Sequence, residues 1–432
     1  MSDWTERPLE QLAEITSGGT PSRTNPSFWN GEIPWVTPSD ITSSKSNYIF
    51  DTKDAITESG IRSSSAKLLP EGALLLTSRA TIGEIKIAAR PVTTNQGFKN
   101  IVSKSQIDGK FLFYQLSRMK GSFERFAAGS TFLEINRKDT GRVMIPLPQK
   151  KEVQCRIAQV LETIDKAIEK TESLIEKYQQ IKAGLMHDLF TRGIGPDGKL
   201  RPPREEAPEL YQETPIGWIP KDWAVATLSE LCVGGLTNGV FKEPRRVGEG
   251  VPLVNVADLY RGDSIDLDSC ERFDASMEEL ARYGAQEQEL FFTRSSLKLE
   301  GIAQVNWIES ASEPAVFECH VMRLRPDISK ISPKILKDWC QWVVAKRHFM
   351  ANAKQVTMTT ISQGGIFNLR CPLIPMREQK EIVAKVQAVE GRLVSESTVL
   401  EKLRCEKRGL MNDLLSGEVT VQAAVNDEAA NV

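Results

Sequence analysis

Three segments carry residue types from which chemistry is ordinarily built, and each lacks a part. Residues 193–200, Gly-Ile-Gly-Pro-Asp-Gly-Lys-Leu, have the glycine and lysine spacing of a phosphate-cradling loop. Leu200 stands where such a loop needs a Ser or Thr hydroxyl for magnesium, and the segment follows a helical pattern rather than a strand. Residues 25–28, Asn-Pro-Ser-Phe, approach the Asn-Pro-Pro-aromatic motif of amino-methyltransferases, which act on a flipped base. Ser27 replaces the second proline, and no glycine-rich cofactor loop precedes it. Cys319 and His320 are adjacent and His348 lies further on, but three histidines at these spacings do not make a zinc site. The segments read as a helix stop, a loop and structural polar residues. No catalytic residue and no metal ligand is assigned.

The remaining candidates are cations. A net charge of −2 conceals an alternation along the chain. Residues 78–142 carry 12 Lys/Arg against 5 Asp/Glu, and residues 290–375 carry 11 against 6, whereas 1–77 and 218–289 are acidic. Basic blocks of this kind suit phosphate binding; the competing reading is uneven, solvated surface charge. Arg discriminates guanine and Asn or Gln adenine, while Lys and hydroxyls more often position phosphates. On that basis the first block offers Thr77, Ser78, Arg79, Gln96, Lys99, Arg137 and Lys138. The second offers Arg294, Ser295, Lys298, Lys354 and Thr357, with Arg245 and Arg246 on a preceding loop.

The elements that must position these residues occur twice. Gly-Leu-Met-His-Asp-Leu-Phe from Gly184 returns as Gly-Leu-Met-Asn-Asp-Leu-Leu from Gly409, a shift of 225 residues. At that shift a heptad series matches itself. Ile157, Leu161, Ile164, Ile168, Thr171, Ile175, Tyr178, Lys182 and Leu185 pair with Ile382, Val386, Val389, Leu393, Glu396, Leu400, Leu403, Lys407 and Leu410. Both are apolar at the same positions and polar at the same two, the signature of coiled-coil helices; separate amphipathic surface helices are the alternative. Each starts after a proline-containing turn (145–148, 372–375) and ends before a glycine, Gly193 or Gly417. About 40 residues at 1.5 Å rise give roughly 60 Å. Upstream, residues 33–41 resemble 251–259, residues 74–79 resemble 290–295, and Trp4, Leu9 and Leu12 match Trp223, Leu228 and Leu231. Short apolar runs bounded by Gly, Pro and Ser read as strands.

The expected fold is therefore α+β, a pseudo-two-fold repeat of two mixed globular domains and two long antiparallel coiled-coil helices. The domains are 1–148 and 218–375, the helices 149–194 and 376–416, with a proline- and charge-rich linker at 195–217 and a disordered tail at 417–432. A short linker favours antiparallel helices with the globular units at opposite ends, since a parallel pair would need it nearly straight. The start has neither a basic nor an apolar signal region, no run approaches membrane-spanning length, and seven dispersed cysteines suit a reduced, cytoplasmic protein.

The chain resembles the specificity subunits of Type I restriction–modification enzymes along essentially its whole length. The resemblance rests on residues 18–41, 74–85 and 93–101, and on Ile-Pro-Leu-Pro followed by a long helix ending in Gly-Leu-Met-His-Asp-Leu-Phe-Thr-Arg-Gly-Ile. It implies a non-catalytic DNA-binding subunit with two target recognition domains reading a bipartite double-stranded target. It further implies two methyltransferase subunits docked on the helices, restriction/translocase subunits joining them, and no membrane. This chain would bind no cofactor, S-adenosylmethionine, ATP and magnesium belonging to the partner subunits. The second half departs from the pattern: the Asn-Gln-Gly-Phe of 95–98 is replaced around 317–322 by Phe-Glu-Cys-His-Val-Met. A coiled-coil adaptor binding proteins through both globular units, with no DNA role, is the rival reading.

Overall fold

The computed structural model describes residues 4–79, 81–127, 133–355 and 357–419. The chain divides into two compact units, residues 1–176 with 395–432 and residues 177–394. The fold is mixed α and β. Four helices organise it: α1 (Gly109–Arg118), α2 (Lys151–Thr191), α3 (Pro333–Gln341) and α4 (Met376–Ser416). None of the described helices is long and apolar enough to cross a membrane. From residue 420 onward the expected tail lies outside the described residues.

In the first unit a five-stranded sheet runs in the order Ala13–Ser17, Phe98–Ser103, Leu74–Thr77, Ile85–Ala88, Tyr48–Ile49. All its pairings are antiparallel except the last. Its centre, Leu74–Thr77, is buried on both faces, which is why it is apolar without alternation. Leu74 and Leu76 face a core shared with Phe111 of α1, and Leu75 faces a second core around Val36, Ile41 and Phe98. A smaller sheet joins Trp29–Val36 to Asp54–Ile56 and Thr93–Thr94. The second unit repeats the plan: Leu290 and Phe292 enter one core and Phe291 another.

Each unit holds the start of one long helix and the end of the other. In the first, Ile157 and Leu161 of α2 share a core with Leu414 and Leu415 of α4. In the second, Leu189 and Phe190 of α2 join Ile382 and Val386 of α4. Within the first unit Asp165 pairs with Lys407 and Glu172 with Arg404, so the two segments run in opposite directions. Lys182 with Glu390, and the Ile194 N–H with Glu378, give the same sense in the second. Of the heptad residues, Ile157, Leu161, Ile164, Ile382, Val386 and Leu400 are buried. Ile168, Ile175, Leu185, Val389, Leu393, Leu403 and Leu410 are half-buried.

The glycines that stop the helices are packing sites as well. Gly193 has φ +63° and Gly417 φ +80°, the left-handed cap that favours glycine. A Cβ on Gly193 would stand 2.4 Å from the Trp223 ring, and one on Gly417 2.8 Å from the Trp4 ring. Each domain's leading tryptophan thus covers the end of the other half's helix.

Residues 195–217, expected as a linker, are instead built into the second unit. Gly195–Lys199 closes a turn, and Tyr211–Thr214 pairs with Gly217–Pro220 as a hairpin. Arg201 is buried on the carboxylate of Glu378 (2.7 Å) and also bonds Asp222. Glu378 also accepts from the Ile194 N–H and from Trp223 Nε1. Proline and charge made the segment look solvated, but its central charge is neutralised inside the fold. Removing one partner of a buried pair strands the other, at a cost of roughly 3–5 kcal/mol. Glu378→Ala is therefore expected to destabilise the second unit by about that much, with faster amide hydrogen exchange across 194–223. Unchanged exchange there would show that Asp222 alone suffices as the partner of Arg201.

Candidate nucleic-acid interface

Most of the candidate readers cluster around the end of one hairpin in each unit. In the first unit the strand Leu74–Thr77 turns back through residues 78–84, and the Thr77 hydroxyl staples the turn. That hydroxyl donates to the Thr81 carbonyl and accepts from the Glu84 N–H at 3.1 Å. Thr293 does the same in the second, donating to Gly301 O (2.9 Å) and accepting from the Gln304 N–H (2.9 Å). The Ser78 N–H donates to Gly97 O, and that of Arg294 to His320 O, both at 2.8 Å. Ile135 N–H reaches Ser78 O, and Ile361 N–H reaches Arg294 O, both at 3.1 Å. These bonds superimpose the halves residue by residue, Arg79 on Ser295, Gly97 on His320, Lys99 on Met322 and Glu134 on Thr360.

On that common scaffold the side chains differ. In the first unit Arg79 Nε lies 2.8 Å from Glu134 Oε2. Lys99 Nζ lies 3.4 Å from the other Glu134 oxygen and donates to Ser78 Oγ at 3.0 Å. Burial pushes Lys99 below the ordinary lysine range despite the pull of Glu134. Burial opposes ionisation of Glu134, but its hydrogen bond with Arg79 and the charges of Lys99 and Arg79 hold its carboxyl below the usual range. Gln96 is exposed and accepts a hydrogen bond from the Thr20 hydroxyl. Arg137 and Lys138 are exposed in the first turn of a short helix capped by Asn136, two residues beyond the Ile135 bond. The structure therefore gathers Arg79, Gln96, Arg137 and Lys138 on one solvent-facing edge.

In the second unit Ser295–Ser296, Thr359–Ile361 and Ala353–Gln355 form a three-stranded sheet, with Ser295 opposite Thr360 and Thr360 opposite Lys354. This brings Arg294, Ser295, Lys298, Lys354 and Thr357 into one region. Arg294, Lys298, Lys354 and Thr357 are exposed, and among the described residues the three cations form no ion pair. Arg245 is exposed on a separate loop. Arg246 is not free: it binds Glu279 at 3.0 Å and lies 4.6 Å over the Phe273 ring, holding the Glu279 carboxyl down to about 2.

Several expected readers are thus structural. Thr77, Ser78, Lys99 and Ser295 are buried, and Arg246 serves its own loop. Hydroxyls next to a basic run look available in the sequence, but that of Thr77 closes the hairpin backbone, that of Ser78 accepts from Lys99 Nζ, and that of Ser295 meets His320 Nδ1 at 2.9 Å. His348 is tied to the Gly365 carbonyl (3.0 Å), and among the described residues no group of three or more His, Cys, Asp or Glu is placed to hold a metal. Glu134 and Thr20 escaped sequence reasoning. Aligning Leu133–Arg137 with Thr359–Gln363 would have pointed to Glu134, because the isoleucines coincide.

Two solved structures share this fold. One is the S subunit of the Type-I restriction-modification system of M. genitalium, with a TM-score of 0.57, 16% identity, and 95% of this chain and 96% of that one covered. The other is a chain from work on complex assembly and conformational transition of the type I R-M system, with a TM-score of 0.54, 17% identity and coverage of 97% and 99%. In sequence, residues 1–178 match the Type I restriction modification DNA specificity domain. The MjaIX specificity subunit of Methanocaldococcus jannaschii is 27% identical over 423 residues, 97% of this chain and 94% of the relative. The EcoprrI specificity subunit of Escherichia coli is 30% identical over 146 residues, 33% of this chain and 36% of the relative. The first 178 residues thus match the Type I restriction modification DNA specificity domain, and nearly the whole chain is similar to a Type I restriction enzyme specificity subunit.

The repeat supplies a test of Lys99. Its counterpart Met322 occupies the same strand position without charge, so Lys99→Met should fold. A lysine whose folded pKa lies below its unfolded value makes the unfolded chain bind more protons between the two. Wild-type stability should therefore rise with pH through the window between the depressed value and the ordinary 10.5, and Lys99→Met should lose that rise. Identical alkaline profiles in denaturant unfolding would contradict it.

Proposed function

We propose that this chain is the non-catalytic subunit that reads a bipartite double-stranded DNA target for a Type I restriction–modification complex. One observation carries the reading. The same hairpin scaffold, closed by the same backbone bonds, is flanked in each unit by exposed cations that lack carboxylate partners among the described residues, Arg137 and Lys138 in the first and Arg294, Lys298 and Lys354 in the second. Repeated scaffolds with different tips suit two half-sites of different sequence. Arg137 and Lys138, and Lys298 and Lys354, suit phosphates; Arg79, Gln96 and Arg294 carry the donor sets that read base edges. Arg79 meets a base edge with Glu134 holding its guanidinium in place.

The helices α2 and α4, paired antiparallel through their heptads, serve as the docking region for two methyltransferase subunits, which restriction/translocase subunits then join. The family likeness and the matched heptads support this assignment. S-adenosylmethionine, ATP and magnesium are assigned to those partners. The adaptor reading leaves the unpaired cations beside both hairpins without a purpose.

Salt separates the two readings, because each neutralised phosphate contributes about 0.9 to the log–log slope of affinity against salt. Arg137→Ala and Lys138→Ala should each lower that slope by about one in the complex reconstituted with methyltransferase subunits, leaving the methylated sequence unchanged. The chain purified alone should transfer no methyl group from S-adenosylmethionine. Binding with no salt dependence would favour the adaptor, and methyl transfer by the pure chain would overturn the non-catalytic assignment.

A further inference from the structure

The two hairpins differ in length where they share everything else. The stapled loop runs from Thr77 to Glu84 in the first unit and from Thr293 to Gln304 in the second, four residues longer. The longer loop carries Leu297, a side chain 86% exposed, followed by Lys298. Behind Leu297 lies a pocket of about 720 Å³ whose apolar wall is formed by Leu297, Tyr260, Val256 and Met358. The Tyr260 hydroxyl donates to Gly301 O at 2.9 Å, which fixes that wall to the loop. Leu297, Tyr260 and Met358 are all exposed and line one pocket, and a contiguous apolar patch of this kind marks a surface that something apolar covers.

The surroundings say what covers it. Arg294, Lys298 and Lys354 are exposed, and among the described residues none of them is ion-paired; against these cations the pocket lining carries one exposed carboxylate, Glu300, so the surroundings are net positive. The partner is therefore a polyanion that also presents small apolar groups. Duplex DNA answers that description in one place, the major groove, where the thymine 5-methyl is the one apolar group among donors and acceptors. Resting on the DNA-reading function above, we propose that Leu297, backed by Met358 and Tyr260, reads thymine methyl groups in the half-site contacted by residues 218–375. The first unit, with Arg79 and Gln96 at its edge and a shorter loop, reads by hydrogen bonds instead. The two recognition domains thus use different chemistry on one scaffold.

Replacing thymine by deoxyuridine removes the methyl and keeps every hydrogen-bonding group, so it isolates this contact. In the complex reconstituted with methyltransferase subunits, deoxyuridine in one half-site should weaken binding roughly fourfold per contacted methyl, the worth of one buried methylene-sized group. In Leu297→Ser the two DNAs should bind equally. The change lies on an exposed loop tip, and an unchanged denaturant-unfolding midpoint would show the variant folded. The inference fails if neither half-site contains an A·T pair, if deoxyuridine is silent in both, or if its effect persists in Leu297→Ser. It also fails if Leu297→Ser instead blocks assembly with the methyltransferase subunits, which would make the patch a protein contact. Loss of all sequence-specific methylation by the wild-type complex would refute the DNA-reading function itself, a result distinct from each of these.

Discussion

A buried carboxylate on each long helix is the interaction on which the rest of the structure depends. Asp165 of α2 and Glu390 of α4 occupy equivalent positions, 225 residues apart, and both are buried. A buried charge must be paired and hydrogen-bonded or it destabilises the fold. Asp165 takes Lys407 Nζ at 2.5 Å, the Tyr114 hydroxyl at 2.6 Å and Asn47 Nδ2 at 2.7 Å. Glu390 takes Lys182 Nζ and Lys334 Nζ, each at 2.8 Å. In both units the seam lysine comes from the opposing helix and a second donor from the helix of the globular domain, Tyr114 of α1 or Lys334 of α3, with Asn47 beside the edge strand as a third in the first unit. One carboxylate thus fixes helix against helix and both against the sheet that carries the hairpin. One of the two polar heptad positions, Lys182 in α2 and Lys407 in α4, is there to meet it.

A second pair of repeated residues sets the level of each domain on its long helix. Gln154 accepts from the Asp108 N–H (2.9 Å) at the start of α1 and donates to Pro148 O (2.9 Å). Gln379 accepts from the Ser332 N–H (2.6 Å) at the start of α3 and donates to Ile374 O (2.8 Å). With the carboxylates these glutamines hold corresponding elements alike in the two halves, while the sheets differ in strand number and the hairpin ends differ in side chains and length. There Arg79 faces Ser295 across the repeat, Lys99 faces Met322, and one loop is four residues longer. A rigid scaffold with variable tips is what lets two domains differ in what they touch without differing in how they fold.

Much of this was legible in the sequence, and the illegible part has a physical reason. Heptads and their 225-residue repeat stand out because apolar periodicity is a property of the chain itself. Strands such as Leu74–Thr77 stand out as apolar runs, since both of their faces are buried. Hydroxyl and lysine roles are another matter. Whether Thr77 faces solvent or staples a turn depends on where Thr81 and Glu84 return, and whether Lys99 is free depends on Glu134, distant in sequence. Proline and charge at 195–217 look like a linker because composition cannot show that Glu378 receives Arg201. Leu297 drew no notice as one leucine in a polar stretch; only its exposure beside unpaired cations gives it meaning.

The central claim is that each unit reads its own half of the target through an independent hairpin end on a common scaffold. The most direct measurement is the methylated-site profile of the reconstituted complex after residues 1–148 are exchanged for the first recognition domain of another family member. The account predicts that one half-site changes to that of the donor and the other keeps its sequence. If both half-sites changed together, or neither did in an active complex, recognition would not be divided between the two units and the account would be contradicted.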